Sequence, residues 1–274
     1  FYKNIHEIED TSAKFLGQSV PGGMAVLCGD DVRALSMKQR ISVRSVTYGL
    51  DNPDCDYTAR DITHDDAMCF SFTPVEHGVE LPRVTLRVPG RHNALNALGV
   101  TAAARELGLT GEEIARGLDA FAGAHRRFEL TATIEGVKLY HDYGHNPAEF
   151  HSVIPLADAV AGDHRLFVVC QPHTYSRTKL LFDQYMTCFT GADEVLITDI
   201  YAAREKDPGD IHATMLVDAL QKHGVPAVYT PDFDACENYL RTHWQPGDVM
   251  ISLGCGNINL LNEQIARHEA EKTN

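Results

Sequence analysis

The 274-residue chain carries 38 acidic against 24 basic side chains, and a formal net charge of −14 disfavours nucleic acid or an anionic membrane surface as a partner, since both call for a basic field. Its seven cysteines (Cys28, Cys55, Cys69, Cys170, Cys188, Cys236, Cys255) are odd in number, scattered and without a Cys-x-x-Cys pair, which argues against a disulfide framework or a zinc knuckle and fits a reducing cytoplasm. No apolar run reaches the roughly 18–20 residues of a membrane span, no signal peptide opens the chain, and the length favours two cores over one.

The chain starts at Phe1 rather than methionine, so we expect it to be part of a longer protein. A short helix is predicted over 5–16, a buried strand over 24–27, and strand-like runs over 43–48, 68–74 and 79–88, the last two joined by the turn Glu76-His77-Gly78. Helices follow over 94–107 and 111–121, the second entered through Thr110 with Glu113 three residues on, a capping box. Gly123-Ala124-His125 reads as a domain boundary.

Beyond it the pattern becomes regular. A hairpin turns at Glu135-Gly136, and apolar strands over 166–170, 194–198, 227–229 and 249–253 alternate with segments of helical length. That alternation predicts a parallel sheet covered on both faces with right-handed crossovers, a Rossmann-like domain. The fold class is therefore α/β: a mixed sheet with helices over 1–125, then the Rossmann-like domain over 126–274.

Ligands of such sheets bind beyond the carboxyl ends of the strands. Three turns fall there: Asp142-Tyr143-Gly144-His145, the segment Gln171 to Arg177, and Asp199 to Arg204. Loops at the other edge, Gly162-Asp163-His164 and Gly191-Ala192-Asp193, read as ordinary turns. His141 and His145 are spaced like zinc ligands, but Gly144 and Pro147 forbid a shared helical face; Pro147 instead opens a helix capped by Asn146, after a strand over 137–140.

Other candidates each admit two readings. Asn93 and Asn96 are three apart at the start of a helix, where an amide matches adenine's donor and acceptor, or Asn93 simply caps the helix. Arg126 and Arg127 suit phosphate oxygens at a domain junction, or form a solvated pair. Arg177 and His173 sit past a strand end near a helix N-terminus, favourable to an anion, or His173 satisfies a carbonyl. Gly254-Cys255-Gly256-Asn257 lacks the third glycine of a dinucleotide loop and reads as a close-packed turn. Asp30-Asp31 and Asp65-Asp66 could hold magnesium or act as caps, and Cys255 has no evident base partner.

Taken together, PGRHNALNALGVTAA, GAHRRFE, HDYGHNPAE, QPHTYSRTK and the closing GCGN resemble, in order and spacing, the Mur ligase family, most of all its L-alanine-adding branch, over essentially the whole chain. The resemblance implies a later part of the central ATPase domain over 1–125 and the Rossmann-like C-terminal domain over 126–274. It implies a part of an ATP-dependent enzyme of peptidoglycan synthesis that joins L-alanine to UDP-N-acetylmuramate through an acyl phosphate. The G-x-x-x-x-G-K-[ST] loop does not occur in this sequence, and the principal ligands of Mg2+ are expected upstream, so the chain alone is expected to lack ligase activity and to bind ATP weakly. No metal ligand is assigned here.

By the same resemblance His92, Asn93 and Asn96 face adenine, Arg127 reaches the nucleotide phosphates, and Asp142 bonds the ribose or orients its neighbours; Arg127 and Asp142 are the catalytic candidates. Tyr143, His145, His173 and Arg177 hold the muramoyl substrate and the incoming alanine. Several relatives have aspartate at His141, arginine at Thr174 and alanine at Cys255, and Arg204 or Lys179 are the cations that could replace that arginine. Two alternatives remain: a non-catalytic nucleotide- or substrate-binding module, and a sibling ligase adding a tripeptide to the same sugar.

Overall fold

The computed structural model describes residues 2 and 4–273, which fall into two compact units, 1–122 and 123–274. The first unit begins with α1 (Ile5–Leu16), whose N-cap Asn4 accepts from the Glu7 N–H, followed by β1 (Met24–Cys28), α2 (Val32–Ser36) and β2 (Arg44–Tyr48). Four more strands follow: β3 (Tyr57–His64), β4 (Cys69–Glu76), β5 (Val79–Glu80) and β6 (Val84–Pro89). Helices α3 (Arg91–Glu106) and α4 (Gly111–Ala120) close the unit.

β1, β2 and β3 run parallel, and β4 turns the sheet antiparallel, pairing with β3, β5 and β6. The apolar face of α3 (Ala94, Ala97, Leu98, Ala102) packs with Val46, Tyr57, Phe72, Val84 and Leu86. The capping box of Thr110 and Glu113 is present.

Three expectations for this unit need correction. β3 was not anticipated: Tyr-Thr-Ala-Arg-Asp-Ile-Thr-His has no clean alternation, because β3 is interrupted by a register shift between Arg60 and Thr63 with Asp61 at φ 51°, a bulge that resets which face is buried. The run over 79–88 is two strands, broken at Leu81-Pro82-Arg83, where Pro82 has no N–H to give a ladder. Finally α3 starts at Arg91 with Gly90 as its N-cap at φ 101° and no side-chain cap, so Asn93 lies inside the first turn and does not cap the helix.

The second unit contains β7 (Glu129–Ile134), β8 (Val137–Asp142), α5 (Pro147–Ala161), β9 (Leu166–Cys170), α6 (Tyr175–Leu180), α7 (Phe182–Tyr185) and β10 (Glu194–Ile197). After these come α8 (Ala213–Lys222), β11 (Ala227–Tyr229), α9 (Phe233–His243), β12 (Val249–Leu253) and α10 (Asn259–Thr273). Strand order is β11-β10-β9-β12-β8-β7, parallel throughout except for β7, which returns antiparallel along β8 through Glu135 (φ 52°) and Gly136 (φ 83°). Positive φ at both central residues matches the twist of the paired strands.

β9 and β12 are buried along their whole length, as central parallel strands must be, which is why both read as continuous apolar runs. Leu240 of α9 and Leu261 and Ile265 of α10 join Leu139, Phe167, Leu196 and Met250 in one core. The ring of Phe150 on α5 packs against Tyr185 and Phe189. Among the described residues no helix is long and apolar enough to cross a membrane, and all seven cysteines are free thiols. The expected Rossmann-like arrangement is therefore present, with two differences: β9 is followed by two short helices, and β8 extends through His141 and Asp142.

Candidate functional site

The parallel strands of the second unit deliver four turns to one sheet edge. After β8, Asp142 is 4 % exposed and its carboxylate accepts from the N–H of Phe128 (2.8 Å) and of Gly144 (2.7 Å), which folds the chain back and projects Tyr143. Asn146 caps α5 with Pro147 at its first position, and the Glu149 carboxylate takes the His145 N–H (2.8 Å) and the Asn146 amide (2.7 Å).

After β9, Thr174 stands at φ 63° and caps α6, its Oγ1 accepting from the Arg177 N–H. This turn is laced to the one after β10: Thr174 N–H donates to Tyr201 O (2.9 Å) and Tyr201 N–H to Pro172 O (2.8 Å). After β12, the chain at Gly256 passes so close to its neighbours that a Cβ there would lie 2.4 Å from Gln171 Oε1 and 2.8 Å from the Tyr201 ring. The GCG segment is thus a close-packed turn.

These turns form a continuous line of cationic and aromatic groups. The guanidinium carbons of Arg126 and Arg127 lie 4.8 and 5.6 Å from the Tyr143 ring centroid. Tyr143 meets His145 edge-on at 5.8 Å, His145 meets His173 at 6.0 Å, and His173 stacks on Tyr201 at 5.6 Å. Arg177 Nη1 donates to His173 Nδ1 at 3.2 Å. Burial, reinforced by the positive charge of Arg177, lowers the His173 pKa. Burial raises the Cys255 thiol pKa although Arg177 opposes it, so Cys255 is a poor nucleophile.

Among the described residues no carboxylate forms an ion pair with Arg126, Arg127 or Arg177, although the chain holds 38 acidic side chains. Most other arginines of the chain are paired, and Lys179 is held by Asp210.

Sequence reasoning missed one connection. Arg126 Nε donates to His141 Nε2 (3.0 Å) and its Nη2 to the carbonyls of Gly254 (3.3 Å) and Gly256 (3.1 Å), tying the start of the unit to the turn after β12. Arg126 takes φ 62°, a conformation that sequence gives no reason to expect of an arginine.

His92, Asn93 and Asn96 belong to the first unit. Asn93 Nδ2 donates back to Pro89 O (2.8 Å), and Asn96, one helical turn on, is exposed with its amide 3.5 Å from Asn93 Oδ1. The acidic pairs act in turns: Asp30 accepts from the N–H groups of Leu50, Asp51 and Asn52, Asp31 caps α2, and Asp65 accepts from Ala67 and Cys69. Among the described residues no group of three or more His, Cys, Asp or Glu could hold a metal ion, His141 and His145 included.

Comparison with known proteins matches both units of the chain to one family. Residues 1–104 match the profile described as Mur ligase middle domain, and residues 126–256 that described as Mur ligase, glutamate ligase domain. The chain is 36 % identical over 268 residues to UDP-N-acetylmuramate–L-alanine ligase of Acetivibrio thermocellus, covering 97 % of this chain and 57 % of the relative. It is 38 % identical over 264 residues to the protein of the same name from Caldanaerobacter subterraneus, covering 96 % and 57 %. The chain therefore spans little more than half the length of these relatives. Among solved structures it is similar to UDP-N-acetylmuramate-alanine ligase of Thermotoga maritima (TM-score 0.70, 23 % identity, 88 % of this chain and 55 % of that one). It is also similar to the MurF ligase of Thermotoga maritima in complex with ADP (TM-score 0.75, 15 % identity, 99 % and 60 %).

Proposed function

This chain belongs to the Mur ligase family, and from that premise we propose that it forms the adenine-facing and substrate-holding part of an ATP-dependent enzyme that joins L-alanine to UDP-N-acetylmuramate. The observation that carries the reading is the line of unpaired cations at the second unit's sheet edge. In a chain of net charge −14, three arginines that have no carboxylate partner among the described residues mark a place kept for an external anion. The names of the 36 % and 38 % identical relatives supply the anions: a muramoyl carboxylate and the carboxylate of alanine.

The residues present fit part of this chemistry. ATP, when bound, supplies the phosphoryl group that activates a carboxylate toward an amine. Asn96, exposed on the first turn of α3, can meet the adenine edge, steadied by Asn93. Arg127 can donate from its fork to phosphate oxygens while its guanidinium rests near Tyr143. Asp142, with both oxygens on backbone N–H groups, orients the turn that carries Tyr143 and His145. Arg177, braced by His173, holds a substrate carboxylate. Among the described residues no group of three or more His, Cys, Asp or Glu is gathered to hold Mg2+.

In the complete enzyme, Arg177→Ala is expected to lower kcat/KM for L-alanine about tenfold, read as alanine-dependent phosphate release. Unchanged kinetics, or turnover with a tripeptide in place of alanine, would overturn the reading. The 274-residue chain alone is expected to show no ligase turnover and no ATP binding in the micromolar range by calorimetry, because a sequence without G-x-x-x-x-G-K-[ST] lacks the loop that cradles the phosphates.

A further inference from the structure

His141 sits on β8 at 1 % exposure, between Arg126 on one side and Ser252 of β12 on the other. An arginine never gives up its proton, so the Nε–H of Arg126, 3.0 Å from His141 Nε2, donates, and that imidazole nitrogen must present a lone pair. The proton is then on Nδ1, which donates to Ser252 Oγ (2.9 Å) or to the Ser252 carbonyl (3.1 Å). The ring is neutral by geometry alone.

The other two acceptors of Arg126, the carbonyls of Gly254 and Gly256, are neutral as well. Glu129, opposite His141 on β7, spends its oxygens on the Arg126 N–H (2.8 Å) and on His125 Nδ1. The guanidinium is therefore fixed on three sides, 4.8 Å from the Tyr143 centroid, with nothing in its anchors to cancel its charge. A carboxylate in the place of the imidazole would hold it equally well and neutralise it.

We propose that His141 is a positioning residue that fixes Arg126 over Tyr143 through an uncharged acceptor, so that Arg126 joins Arg127 in holding a phosphate-bearing anion at the Tyr143 turn. This rests on the anion-binding reading above and adds to it the residue that sets the strength of the site. The distinguishing quantity is charge, and a pair of variants of equal reach isolates it: His141→Gln keeps a neutral acceptor, whereas His141→Glu brings a carboxylate to the same place.

The test uses the 274-residue chain and inorganic pyrophosphate, followed by NMR shifts of the arginine side chains. His141→Gln is expected to bind within about twofold of the parent chain, and His141→Glu about tenfold more weakly. Equal affinity in the two variants overturns the inference while leaving the anion site standing. A parent chain that does not bind pyrophosphate overturns the anion site itself. If the glutamate variant does not fold, Arg126→Gln and Arg126→Lys test whether the charge that His141 positions acts on the anion, with the tenfold loss expected for Gln and a smaller one for Lys; an unchanged Gln variant refutes the proposal. Imidazole 15N shifts give a reading independent of any anion: His141 is expected as the neutral Nδ1–H tautomer at pH 6, and an Nε2–H or charged ring there is incompatible with it.

Discussion

Between pH 6.5 and about 4 the second unit is expected to lose about 3 kcal/mol of stability through His141 alone. Burial of the ring, with the Arg126 charge beside it, lowers the pKa of His141 to about 4, against about 6.5 in an unfolded chain. In that window the unfolded chain binds a proton that the folded chain refuses, so stability falls as pH falls. It is complete above pH 6.5 and flattens below about 4. At about 1.36 kcal/mol per pH unit, the gap corresponds to the figure above. The groups facing the ring are Arg126, Glu129 and His125; Ser252 across the β12 ladder is uncharged.

The measurement is direct because the chain has a single tryptophan, Trp244, 7 % exposed in the core of this unit. Urea unfolding followed by its fluorescence at pH 7 and pH 4 should give a difference about 3 kcal/mol smaller in His141→Gln than in the parent. The same pH dependence in both proteins would show that the imidazole does not titrate in this way.

Glu237→Ala is expected to cost about 3–4 kcal/mol by the same probe at pH 7. Glu237, 5 % exposed on α9, accepts from Arg241 Nε (2.8 Å), Gln264 Nε2 (3.0 Å) and His268 Nδ1 (2.8 Å), and so joins α9 to α10. Burial by itself would raise its pKa, but the three donors outweigh burial and lower it. Removing the carboxylate takes a nearly buried acceptor from all three donors at once, although Arg241 keeps Glu269 at 3.0 Å and Gln264 keeps Asp234 at 2.9 Å. Because the pKa is depressed, this contribution is full above the ordinary carboxylate range and is lost at more acid pH than the His141 contribution. A loss under 1 kcal/mol would place the network among dispensable surface ion pairs.

Much of the second unit was legible because its central strands are buried on both faces and its hairpin turn needs positive φ. LFVVC, VMISL and Glu135-Gly136 say as much in any context. The edge at which the turns gather followed from topology. His141 and Asp142 within β8 were not legible, because their burial depends on partners remote in sequence: Ser252, Arg126 and the N–H of Phe128. β3 was hidden by its bulge, and the start of α3 by a glycine cap that leaves no side-chain signal. The Arg126 clamp depends on an unusual backbone angle, which no spacing of residue types reveals.

The tight passage of the chain at Gly256 has a consequence for how such a protein can diversify. Any side chain there would collide with Gln171 and Tyr201, which belong to two other turns of the same edge. In a selection for new ligand preference, variation is therefore expected to accumulate at Thr174, Arg204 and Cys255 and to spare Gly256. The contact of three turns at Gly256 stays fixed while the residues around it are free to drift.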